Sequence, residues 1–400
     1  MQKFLNKLST RPPAAASSTP PTAKTETDFA QPSTATAAAA AMNKVAAMNC
    51  AMLEALLKDQ GVSIPNGMQK SQLVDLVTFP LTFRRVRADI QHSLDDDAHD
   101  DGSYIPLLIR FAWHSSGTYD ARSNTGGSDG GTIWRAAESA DPENAGLAKA
   151  RTWLKQVHSR HPWITLADLA ILAAYVAIEA SGGPHIPFCW GRCDFTDEEA
   201  IARNGPSGCP FGDGKFNPNG SRLPPADLGP IHGCPRHAAS SVREKATIDA
   251  MRGTFARMGF GDRATVNLII LGHQFGRCHP EVSGYEHPWY VFGPTGWNVY
   301  ANGLGYISLY NNLGGFSEEL TTGGKRQFNF RMGGGEPFMM LPTDMALAWD
   351  ESYRKQVFYY DRNRLQFRAD ARENFKRLTE LGVACLLPEQ PCAPPNDHVH

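Results

Sequence analysis

The chain has 400 residues, 42% hydrophobic and 20% charged, with a formal net charge of −2. That is the balance of an ordinary folded protein, and it supplies no bulk positive field for nucleic acid. No run of 18 apolar residues occurs, so no membrane-spanning helix is expected, and eight cysteines are too few for a disulfide scaffold.

Residues 1–48 read as nonglobular, because "STRPPAAASSTPPTAKTETDFAQPSTATAAAAA" is rich in Pro, Ala, Ser and Thr. Lys3, Lys7 and Arg11 precede the first acidic residue, Glu26. A basic, acid-poor start fits an organellar transit peptide, and equally a disordered tail of a cytoplasmic protein. Residues 49–388 read as one folded domain and residues 389–400 as a second disordered tail.

Within the folded part the text is mainly α. "MLEALLKD" and "LTFRRVRADIQHSL" space apolar residues every three or four positions. "NAGLAKARTWLKQVHSRHP" predicts a helix that starts on a capping Asn144 and stops before Pro162. "TLADLAILAAYVAIEASGG" opens on Thr165, closes on Gly182 and Gly183, and is apolar around most of its girth. It should be a central buried helix. "DRATVNLIILGHQFG" predicts a helix ending near Gly276, and "ESYRKQVFYYDRNRLQFRADARENFKRLTELG" two helices stopped by Gly382. Two loop-rich stretches interrupt this pattern. The first, residues 204–225, has Cys209 and Cys234 about it; the second, 293–337, has room for a short hairpin.

The helix in "LIRFAWHSSG" carries the first sign of chemistry. Arg110, Trp113 and His114 stand at i, i+3 and i+4, and so share one face. Alone, that trio reads as a surface Arg, a core Trp and a hydrogen-bonded core His. A second helix, "NLIILGHQFGRCH", ends an apolar run on His273, which reads as a core His or as an axial ligand to a haem iron. A ligating His donates its other N–H to an acceptor. Asp344 in "MMLPTDMALAWD" is a candidate acceptor, and Trp289 in "SGYEHPW" an aromatic to pack on the ligand. Peroxide cleavage needs a neutral base to move a proton between the two oxygens and a fixed cation beside the leaving one. His114 and Arg110 suit those roles, with Asn144 to orient the imidazole. A zinc reading has little support: Cys189 and Cys193 are four apart, and Cys234 and Cys278 lie near histidines, but no clean ligand spacing appears.

Four stretches, "PLLIRFAWHSSGTYDARSNTGGSDGG", "ADPENAGL", "LGHQFGRCHPEVSGYEHPW" and "FMMLPTD", resemble the class I haem peroxidases in the same order, over residues 80–385. The resemblance implies a two-lobed, mostly helical fold with one haem b, hence one iron per chain, between a distal and a proximal helix. It implies that Arg110 and His114 are the distal pair, with Trp113 over the haem. Asn144 and, more remotely, Glu138 would form the distal hydrogen-bond network. His273 would be the iron ligand, Asp344 its carboxylate partner, Trp289 the proximal tryptophan, and His279 a neighbour of a haem propionate. The implied reaction is reduction of hydrogen peroxide to water with oxidation of an electron donor.

Within that family the residues favour the cytochrome c peroxidases. Ascorbate peroxidases hold their substrate with an Arg where this chain has Val282. They carry a Cys in the stretch matching "GSYIP", which has Tyr104, and cation-site threonines where Gln274 and Tyr290 stand. The cross-linking tyrosine motif of catalase-peroxidases is not found between residues 195 and 265. Met339 and Met340 match the methionine pair near the proximal Trp. Asp95, Asp96 and Asp97 match an acidic patch that docks basic cytochrome c, although such a run also reads as a solvated face. The expected donor is therefore ferrocytochrome c through a Trp289 radical, in a mitochondrion rather than a plastid. The alternatives are a hybrid or ascorbate-type enzyme oxidising ascorbate, a phenol or Mn(II), and a haem-binding sensor without catalysis.

Overall fold

The computed structural model describes residues 43–59, 68–99, 102–204, 222–223, 240–289, 316–331, 334–384 and 386–388. The transit-peptide reading, the C-terminal tail, Cys209, Cys234, Tyr290 and most of both long loops lie outside the described residues. Contacts divide the chain into two units, Met1–Asn49 and Cys50–His400. In the first, residues 43–46 form a helical turn.

The second unit is mainly helical. Its first helices are α1 (Cys50–Asp59), α2 (Lys70–His92), α3 (Ile105–Ser116), α4 (Ala148–Arg160), α5 (Leu166–Ala180) and α6 (Asp197–Asn204). They are followed by α7 (Ser240–Arg257), α8 (Asp262–His273), α9 (Pro342–Trp349), α10 (Glu351–Arg362) and α11 (Arg364–Glu380). Among the described residues, no helix is long and apolar enough to cross a membrane.

Helix α5 is the centre the sequence predicts. The Thr165 side chain caps it by accepting from the Asp168 N–H, and every residue from Ala167 to Ile178 is buried. Helix α3 packs along α5, while α8 packs on α10 and α11. One face of α3 thus meets the core while another is left for a cavity. Buried Arg192 ties the start of α5 to the end of α11: it pairs with Asp168 at 2.8 Å and donates to the Thr379 carbonyl at 2.7 Å.

Strands are few, and their role is delivery. β1 (Cys189–Trp190) pairs with the terminal strand Leu387–Pro388. β2 (Arg277–Cys278) and β3 (His287–Pro288) form a two-residue antiparallel ladder that folds the chain back after α8. The hairpin expected in the second long loop forms between β4 (Ser317–Leu320) and β5 (Arg326–Phe330), and β6 (Phe338–Met340) adds to β5. β6 runs directly into α9.

One helix boundary differs from the sequence reading. Asn144 does not cap α4, which begins at Ala148 with Leu147 at its N-cap. Asn144 instead ends a separate 3-10 turn, Pro142–Asn144, and is buried. A capping side chain has to turn back to its own helix. This one is engaged elsewhere.

Candidate functional site

A cavity of about 360 Å³ opens between α3 and α8. It is lined from one side by Arg110, Trp113 and His114 and from the other by His273 and Trp289. The three side chains that the i, i+3, i+4 spacing placed on one face of α3 therefore do share it.

The short stretch after Ala140 organises that side. The Asp141 side chain accepts from the Glu143 N–H at 2.8 Å, which sets the 3-10 turn. The turn then presents two carbonyls to Arg110, whose Nη1 donates to Ala145 O at 2.9 Å and Nη2 to Glu143 O at 3.0 Å. Between them, Asn144 lies 2.9 Å from His114 Nδ1 through its Oδ1. Asn144 Nδ2 donates to the Glu138 carbonyl at 2.8 Å. That second bond fixes which end of the amide faces the imidazole. An amide oxygen only accepts, so His114 Nδ1 carries the proton and Nε2 is the free base. Glu138 thus joins this network through its backbone. Its buried carboxyl is pushed up to about 7 by desolvation, so it is partly protonated at neutral pH.

His114 is itself held well below the ordinary histidine value of 6.5, first by burial and then by the Arg110 charge, against the opposing bond to Asn144. Both lowering causes disfavour the imidazolium. The free base is present at every pH above the lowered value and is lost only as pH falls through it. The acid limb of any reaction that uses this base should therefore lie below pH 6.5. Arg110→Leu removes the smaller cause, so the limb should move up part of the way while burial still holds it down. A pH series of the peroxide rate constant in both proteins checks this; an unmoved limb would assign it to another group.

On the other side, α8 ends at His273, whose Nδ1 lies 2.7 Å from Asp344 Oδ1. Asp344 is fully buried in the first turn of α9. Its Oδ2 accepts from Trp289 Nε1 and from the Leu341 N–H, each at 2.9 Å. One carboxylate thus fixes the imidazole, the indole and the helix start together. The β2–β3 ladder carries Trp289 back to His273, with ring centroids 4.9 Å apart and a tilt of 31°. Met339 bridges to Trp289 and shares its small apolar cluster, whereas Met340, pointing the other way on β6, belongs to the main core. Trp289 packs against both clusters, so the two methionines border it from different cores.

Two glycines let the walls approach. Gly276 (φ +76°) faces Pro106, and a Cβ there would lie 2.7 Å from the proline Cβ. Gly146 (φ +79°) faces Val282, where a Cβ would come within 2.7 Å of a valine methyl and 3.7 Å of Arg110 Nη1. Val282 thus closes over the Arg110 side of the cavity. Arg277, His279 and Ser283 also line the cavity. Gln274 is buried at the end of α8.

Sequence reasoning missed the residues that hold the far end of α3. Phe255 of α7 stacks on Trp113 at 5.6 Å. Arg257 Nη2 donates to Gly117 O at 2.8 Å, and its Nη1 to Tyr119 O. Arg222, from the first long loop, donates to Thr118 O at 3.2 Å, and its neighbour Leu223 lines the cavity. These bonds satisfy the carbonyls of the turn that follows α3. Nothing in the residue types marks them, because the partners are backbone atoms.

The cavity fits a haem. His273 and His114 each spend Nδ1 on a neighbour and keep Nε2. Among the described residues no group of three or more His, Cys, Asp or Glu could hold a metal ion, so an iron bound by His273 must bring its other ligands with it. Leu268, Ile269, Phe255 and Leu223 give the apolar walls a flat macrocycle needs, and Arg277, His279 and Ser283 can take its carboxylates.

The model of a family described as "Peroxidase" matches residues 86–292. A "Putative heme-binding peroxidase" of Pyricularia oryzae is 39% identical over 306 residues, 76% of this chain and 88% of that protein. A "Cytochrome c peroxidase, mitochondrial" of Emericella nidulans is 38% identical over 285 residues, 71% of this chain and 66% of that one. A protein of the same name from Yarrowia lipolytica is 34% identical over 310 residues, 76% and 78%.

Proposed function

Because the chain belongs to the peroxidases, as a class I haem peroxidase of the cytochrome c peroxidase-like type, we propose that it reduces hydrogen peroxide with electrons from ferrocytochrome c delivered through Trp289. The carrying observation is the shared carboxylate, Asp344, which bonds both His273 and Trp289.

His273 would hold the haem iron, and haem would supply the redox chemistry that cleaves peroxide. His114 Nε2, unprotonated and facing the cavity, takes the proton of the bound peroxide and returns it to the leaving oxygen. Arg110, held to Ala145 and Glu143, places a fixed cation beside that oxygen as negative charge builds there. Asn144 keeps the base in the right tautomer and Trp113 walls the site. Asp344, on the other nitrogen of His273, fixes the ring's orientation as a ligand. Asp344→Asn should therefore weaken haem retention or turnover by roughly 10–100-fold. Titration of the apoprotein with haem checks this, and wild-type affinity together with wild-type turnover would contradict it.

Trp289 sits where a one-electron hole can rest. Its N–H faces the Asp344 carboxylate and it packs against the small cluster that holds Met339, whose sulfur is polarisable. A cation formed on the indole is stabilised by both. Val282 puts a methyl where a small anionic donor would need a cation. Asp95 and Asp97 are exposed, and such charges attract a basic cytochrome, chiefly by speeding encounter. The basic, acid-poor residues 1–48 and the mitochondrial relatives support import into mitochondria; cytosolic retention of a fluorescent protein fused behind residues 1–48 would exclude it.

The reading is tested by turnover of haem-loaded protein with peroxide and, side by side, ferrocytochrome c, ascorbate and guaiacol. Cytochrome c should be oxidised fastest at low ionic strength and more slowly as salt screens the acidic run. Faster turnover with ascorbate or guaiacol under the same conditions would replace it by the small-donor reading.

A further inference from the structure

A second group of oxidisable side chains stands at the cavity edge, remote in sequence from Trp289. His99 lines the cavity. It stacks face to face on Tyr104, with ring centroids 4.1 Å apart and planes 6° from parallel. Tyr104 is the N-cap residue of α3, and its other neighbour is Trp153, at 5.7 Å. The Tyr104 hydroxyl donates to Asp96 Oδ2 at 3.2 Å. The loop is pinned on both sides of the pair, since Tyr104 N–H donates to Leu94 O at 2.8 Å and Asp96 N–H to Gly102 O at 3.0 Å. This places a phenol between the cavity and the acidic run, bonded to one carboxylate of that run.

A phenol gives up an electron readily only if its proton can leave at the same time, because the oxidised phenol is a strong acid. Asp96 is the acceptor that makes this feasible. Burial, followed by the bond to Asp96, raises the Tyr104 pKa, so the phenol holds a proton to transfer at neutral pH. Trp153 lacks such an acceptor: its Nε1 donates to the Ser93 carbonyl at 3.1 Å, which is no base, and the ring is only 5% exposed. Of this pair, a hole settles on Tyr104.

We propose that Tyr104 is a second redox-active residue, passing an electron across stacked His99 toward the cavity and its proton to Asp96, and that its phenoxyl radical is reduced by ferrocytochrome c at the Asp95–Asp97 surface. The proposal rests on the peroxidase reading, which supplies the oxidant. Tyr104–OH loses one electron, which fills one of the two oxidising equivalents left by peroxide reduction, and its O–H bond breaks to protonate the Asp96 carboxylate. The cytochrome returns one electron to the phenoxyl, and the proton goes back from Asp96. Atoms and charge balance over the cycle.

The test uses the haem-loaded Trp289→Phe chain, in which the indole no longer competes for the hole. After one equivalent of peroxide with the nitroso spin trap 2-methyl-2-nitrosopropane, peptide mass spectrometry should find the adduct on Tyr104. Electron paramagnetic resonance should show a tyrosyl signal that is lost on adding Tyr104→Phe. Asp96→Asn, which keeps the phenol and removes the base, should diminish the signal without moving the adduct elsewhere. An adduct confined to other residues, or a signal indifferent to Tyr104→Phe, overturns the proposal and leaves the peroxidase reading standing. Absence of both peroxide consumption and any radical overturns both. Trapping in the chain with its own Trp289 repeats the assignment should the double variant fail to fold.

Discussion

Replacing His114 by leucine is expected to slow the reaction of the haem-loaded protein with hydrogen peroxide by roughly 10²- to 10⁴-fold. The leucine keeps the volume and the apolar contacts of the ring but has no nitrogen to move a proton. Arg110 stays in place, because its bonds run to the carbonyls of Glu143 and Ala145 and not to His114. The loss is then that of the base alone, and the residual rate measures what Arg110 contributes. Asn144→Ala should fall between wild type and His114→Leu, since it leaves the imidazole present but frees its tautomer and orientation. Rapid mixing with peroxide reads all three proteins directly. A His114→Leu protein that reacts within tenfold of wild type would remove His114 from the mechanism.

The second large effect is expected downstream of peroxide. Trp289→Phe should leave the peroxide step close to wild type and reduce cytochrome c oxidation by about 10- to 100-fold, the residual rate being what the Tyr104 route carries. A charge-assisted hydrogen bond is worth about 1.5–3 kcal/mol, and each 1.36 kcal/mol is tenfold in rate. Phenylalanine cannot make the 2.9 Å bond to Asp344 that would stabilise an indole cation, and its ring is harder to oxidise than an indole. Small donors that reach the cavity mouth should keep most of their rate. Steady-state turnover of the variant with cytochrome c and guaiacol separates the two cases. Equal loss with both donors would mean that the substitution has damaged the site as a whole, and no loss with cytochrome c would mean that electrons enter elsewhere.

Helix α5 was legible because its girth is apolar and Thr165 caps it. The Arg110, Trp113 and His114 face was legible because helical spacing alone brings those side chains together. The partners of His114 and His273 were legible as chemistry: a ligand or base needs an acceptor on its second nitrogen, and few candidates stood near the right motifs. The start of α4 was not, because Asn144 has the chemistry of a cap and local pattern cannot show that His114, 30 residues earlier, claims its oxygen. Nor could the sequence show that Glu138 acts through its carbonyl, that Met340 faces the core, or that Arg222 and Arg257 hold the carbonyls after α3. Each depends on where a backbone atom lies once distant elements have packed. In the sequence Tyr104 stands out only for what it replaces; its stacking on His99 and its bond to Asp96 arise from the fold of the loop between α2 and α3.

The central claim is that peroxide reduction in this chain is coupled to oxidation of cytochrome c. The most direct measurement mixes peroxide-treated, haem-loaded protein with excess ferrocytochrome c and counts the cytochrome oxidised in one turnover. The balance H₂O₂ + 2 e⁻ + 2 H⁺ → 2 H₂O predicts two cytochromes oxidised per peroxide, at a rate that falls as salt is added. Peroxide consumed with ferrocytochrome c left reduced would contradict it.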